Sequence, residues 1–176
     1  MKPGSDNYLM LKWVRLVSIC LIVTLASVAA VFSLLALTVG AEFWVSPLIS
    51  TFAWLPLHRL SSGSEFGTAG LVNALFSAFA VLPAFTGSVA HIMLTYRPKW
   101  CAPVELRTRA KGIIGSMVLI SIPILLLITW NGGDVRIVKF GSSLLCMVLL
   151  GWAPYAFFGA IFAYGTVGLW KSITND

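Results

Sequence analysis

The sequence predicts an all-α membrane protein: four transmembrane helices in one bundle, both termini in the cytoplasm, and a short outer-surface helix between helices 1 and 2. Hydrophobic residues make up 59% of the 176 positions and charged residues only 10%, against roughly 25% charged in soluble domains. A soluble domain of this length could not bury so much apolar surface. The few charges also cluster between long uncharged stretches, so we expect residues 1–176 to form a single transmembrane domain.

Four stretches carry no charge, at residues 16–41, 66–96, 112–133 and 140–170. Each exceeds the roughly 20 helical residues that cross a hydrocarbon core, and a helix satisfies its own backbone hydrogen bonds in lipid. A β-barrel would need alternating segments of about 10 residues, which the sequence lacks. We therefore predict helices at about 14–41, 66–96, 112–131 and 140–170. The apolar region of the first stretch is also too long for a signal peptide.

A fifth apolar stretch, residues 43–58, is interrupted by prolines and is too short to span. Ser46 is predicted to cap a helix with Pro47 in its first turn, and Pro56 is predicted to end it. One face of this helix would carry Leu48, Ile49, Phe52 and Leu55.

Basic residues predict the orientation, because Lys and Arg concentrate in short cytoplasmic loops. Nine fall on one side: Lys2, Lys12, Arg15, Arg97, Lys99, Arg107, Arg109, Lys111 and Lys171. Three fall on the other: Arg59, Arg136 and Lys139. The net charge of +6 is thus expected to face anionic lipid headgroups rather than nucleic acid, and we expect a bacterial inner-membrane location.

Residues suited to catalysis or metal binding are not grouped in one place. The charge-free stretches contain no carboxylate, lysine or arginine, whereas intramembrane catalysts and proton-coupled transporters usually need them. His58 and His91 are predicted about 30 Å apart across the membrane, so one chain cannot offer both to a haem. Pairing of His91 with a histidine of another chain remains open. Neither a cysteine pair nor a nucleotide motif is present, and we predict no enzyme activity, cofactor or metal site.

Prolines occur near the middle of three predicted helices, at Pro83, Pro123 and Pro154. Each removes a backbone hydrogen bond and tends to kink its helix. Kinks at matching depth are found in transporters, but proline also simply shapes many membrane helices.

Small residues recur at helical spacing on predicted helices 2 and 4. Helix 4 carries Gly151, Gly159 and Ala163 with Tyr155 between them, and helix 2 carries Ala80, Ala84 and Ser88. Small residues let helices approach closely in lipid, so these stripes either pack helices 2 and 4 together or meet a partner. Trp152 and Tyr155 also need partners for their polar atoms. They are predicted to pack in the core; the alternatives are that they hydrogen-bond carbonyls freed by proline, or line a site for a quinone, lipid or partner.

These features favour a non-catalytic protein that contacts another integral membrane protein, or a second copy, laterally in the bilayer. Four crossings with cytoplasmic ends are similar in layout to immunity proteins of pore-forming colicins, exclusion proteins of conjugative plasmids and accessory subunits of membrane complexes. The alternative is a small oligomeric transporter or channel. A third reading is a cofactor-binding, respiratory-type subunit that uses His91 or the Trp152 region.

Overall fold

A computed structural model describes residues 6–38, 42–52, 57–100, 106–130, 133 and 139–174, and this part of the chain is helical without any strand. In chain order the helices are α1 (Asp6–Thr38), α2 (Glu42–Thr51), α3 (Leu57–Ser61), α4 (Thr68–Ala78), α5 (Val81–Trp100), α6 (Leu106–Thr129), α7 (Leu144–Leu150) and α8 (Ala153–Thr174).

Four helical segments are long and apolar enough to cross a membrane, which confirms the prediction of four such helices in an all-helical protein. They are Tyr8–Thr38, Thr68–Thr95, Thr108–Leu126 and Leu144–Thr174, with mean hydropathies of 2.6, 1.7, 1.6 and 1.9. The second segment consists of α4 followed by α5, and the fourth consists of α7 followed by α8.

Two of the three prolines lie where a helix begins rather than in the middle of one. Pro83 is the third residue of α5, and Pro154 is the second residue of α8. The first backbone amides of a helix have no partner within it, so proline costs no hydrogen bond there. Only Pro123 lies inside a continuous helix, α6. The predicted mid-helix kinks at Pro83 and Pro154 are therefore turns between separate helices.

The chain divides into two compact units. The first contains Met1–Leu21, Val81–Leu126 and Ala156–Asp176, and the second contains Ile22–Ala80 and Leu127–Tyr155. In the first unit, α8 packs against α5 and α6 at glycines. Helix α1 also approaches α5 closely in this unit, where Ser18 lies against Gly87.

The second unit has an apolar core to which α2 contributes. Leu75 and Val72 of α4 are 0% and 1% exposed, and Val45 of α2 is 2% exposed. Phe32 of α1 stacks on Phe76 with ring centroids 5.0 Å apart and tilts against Trp44 at 5.6 Å. Aromatic pairs in this range add to the apolar burial that stabilises the core.

The short helix after α1 exists, but its predicted start is wrong. Ser46 does not cap it, because α2 begins at Glu42 and Pro47 lies inside. Pro47 forfeits only one hydrogen bond, and its own carbonyl accepts from Ser50 Oγ at 2.8 Å and Thr51 Oγ1 at 2.9 Å. Leu48, Ile49 and Phe52 pack against the core. Leu55 and Pro56, at the predicted end of this helix, lie outside the described residues, as does Arg136.

Candidate functional site

The close contact between α5 and α8 in the first unit is built on Gly159. A Cβ atom added at Gly159 would collide with the Val81 carbonyl oxygen and would lie 3.1 Å from Ala84 Cβ. Ala163, one turn further along α8, is 0% exposed, and Ala84 is 7% exposed. Ser88 is half-buried on α5. Gly159 and Ala84 therefore lie at a contact within the chain.

A second close contact, between α6 and α8, was not predicted from the sequence. A Cβ at Gly165 would lie 2.7 Å from Ile120 Cγ1, and one at Gly168 would lie 2.6 Å from Ser116 Oγ. A Cβ at Gly112 would likewise lie 2.6 Å from Ser172 Oγ. The signal was present as glycine and serine at intervals of three and four residues, which places them on one helix face.

The remaining small residues of the predicted stripes, Ala80 and Gly151, belong to the second unit. Ala80 is 0% exposed. Gly151 is buried, and a Cβ there would collide with the Asn73 side-chain oxygen. The two stripes are thus divided between the units, with every member except Ser88 buried.

Tyr155 lies in a polar pocket of the second unit and is only 2% exposed. Its ring meets Trp130 edge to face at 5.5 Å, and Trp130 meets Phe140 in the same way at 6.1 Å. Beside these rings is a cavity of about 20 Å³, lined also by Asn73 and Gly151. A cavity of this size has room for about one water molecule, far too little for a quinone.

Asn73 is the polar side chain of this pocket that the sequence analysis missed. It is 4% exposed, and its Oδ1 atom accepts a hydrogen bond from Ser77 Oγ at 3.3 Å. Ser77 is itself 0% exposed. The available signal was an amide within a stretch of otherwise apolar and small residues, because buried polar groups in lipid need partners.

Trp152 satisfies its indole locally. Its Nε1 donates to the Leu149 carbonyl oxygen at 2.8 Å, in the last turn of α7. A carbonyl there lacks a helical donor because α7 ends at Leu150. The polar atom of this tryptophan is therefore accounted for by the end of a helix.

His91 binds an arginine in the first unit. Arg15 Nη2 lies 3.1 Å from His91 Nδ1, and since a guanidinium can only donate, Nδ1 must accept. The ring proton of the neutral imidazole then lies on Nε2, which leaves that nitrogen without a lone pair for a metal. This hydrogen bond disfavours His91 as an axial ligand. His58, on α3, is exposed.

Of the four spanning segments, α6 has the smallest buried share, followed by the α1 segment at 17%. Only 11% of the most apolar 18-residue window of α6 is buried, against 61% for the segment formed by α4 and α5. Ile114, Met117 and Val118 are 64%, 57% and 53% exposed. Between them lies Gly115, where an added Cβ would meet nothing within 4 Å.

Among the described residues, no group of three or more His, Cys, Asp and Glu side chains is placed to hold a metal ion. The described cysteines, Cys20 and Cys146, are not joined by a disulfide. Comparison with protein-family models, with curated proteins and with solved structures finds no match to the chain.

Proposed function

We propose that this chain is a non-catalytic membrane protein that acts by lateral contact with another integral membrane protein, as an accessory or immunity/exclusion-type subunit. The observation that carries the proposal is the exposed face of α6. A helix packed in a globular protein commonly buries an apolar stripe at least 100° wide. The α6 window buries only 11% of its residues, so the helix has most of its circumference available.

Small residues favour α6 as the partner face over α5 and α8. Gly159 and Ala163 are occupied by internal contacts, so they cannot also meet a second protein. Gly115 lies in open space, flanked by exposed Ile114 and Val118. A glycine notch between large apolar side chains allows a helix of another protein to approach closely, and close packing drives helix association in lipid.

The test compares Gly115→Leu with wild type by chemical cross-linking in the membrane, followed by co-purification in mild detergent and mass spectrometry. Filling the notch should reduce recovery of the partner, or of a second copy, about tenfold, because overpacking costs about 1–3 kcal/mol. Thermal stability of the purified chain should not change, since Gly115 has no neighbour within 4 Å.

Val31→Leu on α1 serves as the control, because Val31 is 54% exposed and the change adds volume away from the α6 face. Unchanged cross-links in Gly115→Leu would refute α6 as the contact face. Loss of thermal stability together with the cross-links would mean that Gly115 supports the fold instead.

We propose further that both termini face the cytoplasm, with α2 and α3 toward the opposite side. The support is the distribution of Lys and Arg, nine against three, because such charges are retained on the cytoplasmic side. Exposed Trp13 and Trp170 belong to the same side, at the headgroup level that tryptophan prefers. A bacterial inner membrane is the location that fits this pattern.

A small oligomeric transporter or channel is the second candidate, favoured by the helix interruptions at Phe79–Ala80 and Gly151–Trp152. Discontinuous helices form substrate sites in many transporters. The two functions differ in a liposome experiment: a transporter moves a solute or ion across vesicles that contain only this chain, whereas an accessory subunit does not. The third reading, a cofactor-binding subunit, requires visible absorbance from the purified protein.

A further inference from the structure

We propose that a cavity at the junction of α6 and α8 binds the phosphate of an anionic phospholipid headgroup. The cavity has a volume of about 280 Å³ and lies within the first unit. Its described lining is Thr108, Arg109, Gly112, Ser116, Gly168, Lys171 and Ser172. Two cations and three hydroxyls thus surround the space, with no carboxylate among these residues.

The position of Arg109 is fixed by the end of α8. Its Nε donates to the Ser172 carbonyl oxygen at 2.7 Å, and its Nη2 donates to the Ile173 carbonyl oxygen at 2.6 Å. These bonds satisfy carbonyls of the last turn, which lack helical donors. They also hold a positive charge at the cavity wall and offset the negative end of the α8 dipole.

Ser116 supplies a hydroxyl that no described residue engages. The residue is 6% exposed and lines the cavity, yet no hydrogen bond joins its hydroxyl to any described residue. Ser33 and Ser121 behave differently, because each donates to a backbone carbonyl three or four residues earlier. A hydroxyl left available at the floor of a basic cavity is suited to donate to an anionic oxygen.

Two glycines make room for this site. At Gly112 and Gly168, which also line the cavity, a Cβ would lie 2.6 Å from the hydroxyls of Ser172 and Ser116. In this arrangement the facing glycines leave room for the two serine hydroxyls, and a larger side chain would have to displace them. The resulting volume, near the lower limit of the about 300–1,000 Å³ typical of ligand sites, suits a phosphate with its ester substituents.

The depth of the cavity favours a lipid as the source of the phosphate. It lies where α6 begins and α8 ends, beside Trp170, which is 50% exposed, and near exposed Lys111. Tryptophan and lysine at helix ends belong to the headgroup layer, and basic pockets between helices at that level bind anionic headgroups. The inference does not depend on a protein partner.

The experiment is a titration of the purified chain in mild detergent with phosphatidylglycerol, read by native mass spectrometry, with zwitterionic phosphatidylcholine as the comparison lipid. Wild type should bind phosphatidylglycerol at one preferred site and phosphatidylcholine more weakly. Lys171→Gln should raise the dissociation constant about tenfold, and Ser116→Ala about threefold, because each removes a donor to a charged group. Thermal stability of both variants is measured in parallel to show that they are folded.

Lys111→Gln is the matched control. Like Lys171→Gln it removes one positive charge, but Lys111 lies near the beginning of α6 and outside the cavity lining. It should change the dissociation constant by no more than about twofold. An equal effect of Lys111→Gln and Lys171→Gln, with none for Ser116→Ala, would reduce binding to general surface charge and overturn the proposal. Inorganic phosphate that displaces the lipid and shows the same sensitivity to Lys171 and Ser116 would instead overturn the lipid as the source.

Discussion

Gly159 occupies a position at which even a methyl group would meet the backbone of a neighbouring helix. The obstacle is the Val81 carbonyl oxygen, which cannot move aside as the end of a flexible side chain could. Some other glycines face softer neighbours, such as the Ser116 hydroxyl opposite Gly168. A single atom of side chain at Gly159 must therefore displace α5 or α8.

Gly159→Leu should accordingly destabilise the folded chain by about 1–3 kcal/mol, the usual cost of overpacking. The measurement is thermal stability in mild detergent. Leu149→Ala is the comparison, because Leu149 is 57% exposed and its truncation should cost little. Equal melting temperatures for wild type and Gly159→Leu would be inconsistent with a close α5–α8 contact.

Residue-scale features such as Asn73 show what the sequence does not reveal by itself. The spacing of Gly159, Ala163 and Ala84 indicated close packing, but it left open whether the neighbour was internal or external. Only the fold shows that Asn73 lies beside Gly151. Such a pairing depends on how two distant helices meet, and periodicity along one helix carries no information about that.

At the scale of elements, apolar length predicted the spanning segments well and their interruptions poorly. The uncharged stretches 66–96 and 140–170 each contain two helices in the structure. The prolines indicated an interruption of the helix in both stretches. Proline in a membrane-spanning segment is compatible either with a kink or with the start of a new helix. The outcome depends on neighbouring turns, which hydropathy does not record.

The contribution of α2 to the core gives an element-scale prediction. Val45 is 2% exposed and belongs to the core of the second unit, whereas Phe43, two residues earlier, is 93% exposed. Val45→Ala should speed amide hydrogen exchange across Glu42–Thr51, because removing buried methyl groups weakens the packing that holds the helix. Phe43→Ala should leave exchange unchanged.

Hydrogen–deuterium exchange followed by mass spectrometry measures both variants against wild type. Exchange in wild-type α2 as fast as in an unstructured peptide would contradict its packing into the core.

At the scale of the whole molecule, the orientation in the membrane that we propose from charge can be tested by labelling. In a background with the native cysteines replaced, Ser62→Cys should react with an impermeant thiol reagent added to intact cells. Thr108→Cys should react only after the membrane is opened. Both positions are exposed, so access to the reagent depends on the side of the membrane. The reverse pattern would overturn the assignment of the termini to the cytoplasm.

The sparse burial of α6 also bears on the order in which the protein comes apart. Ser116 and Pro123 are its buried side chains within the described part of the helix, while α4 buries eight residues. Local opening requires least free energy where the fewest buried contacts must break. We therefore expect a membrane-bound protease to extract α6 before the other transmembrane helices. The lifetime of the protein in the cell should then depend on whether a neighbouring protein covers α6.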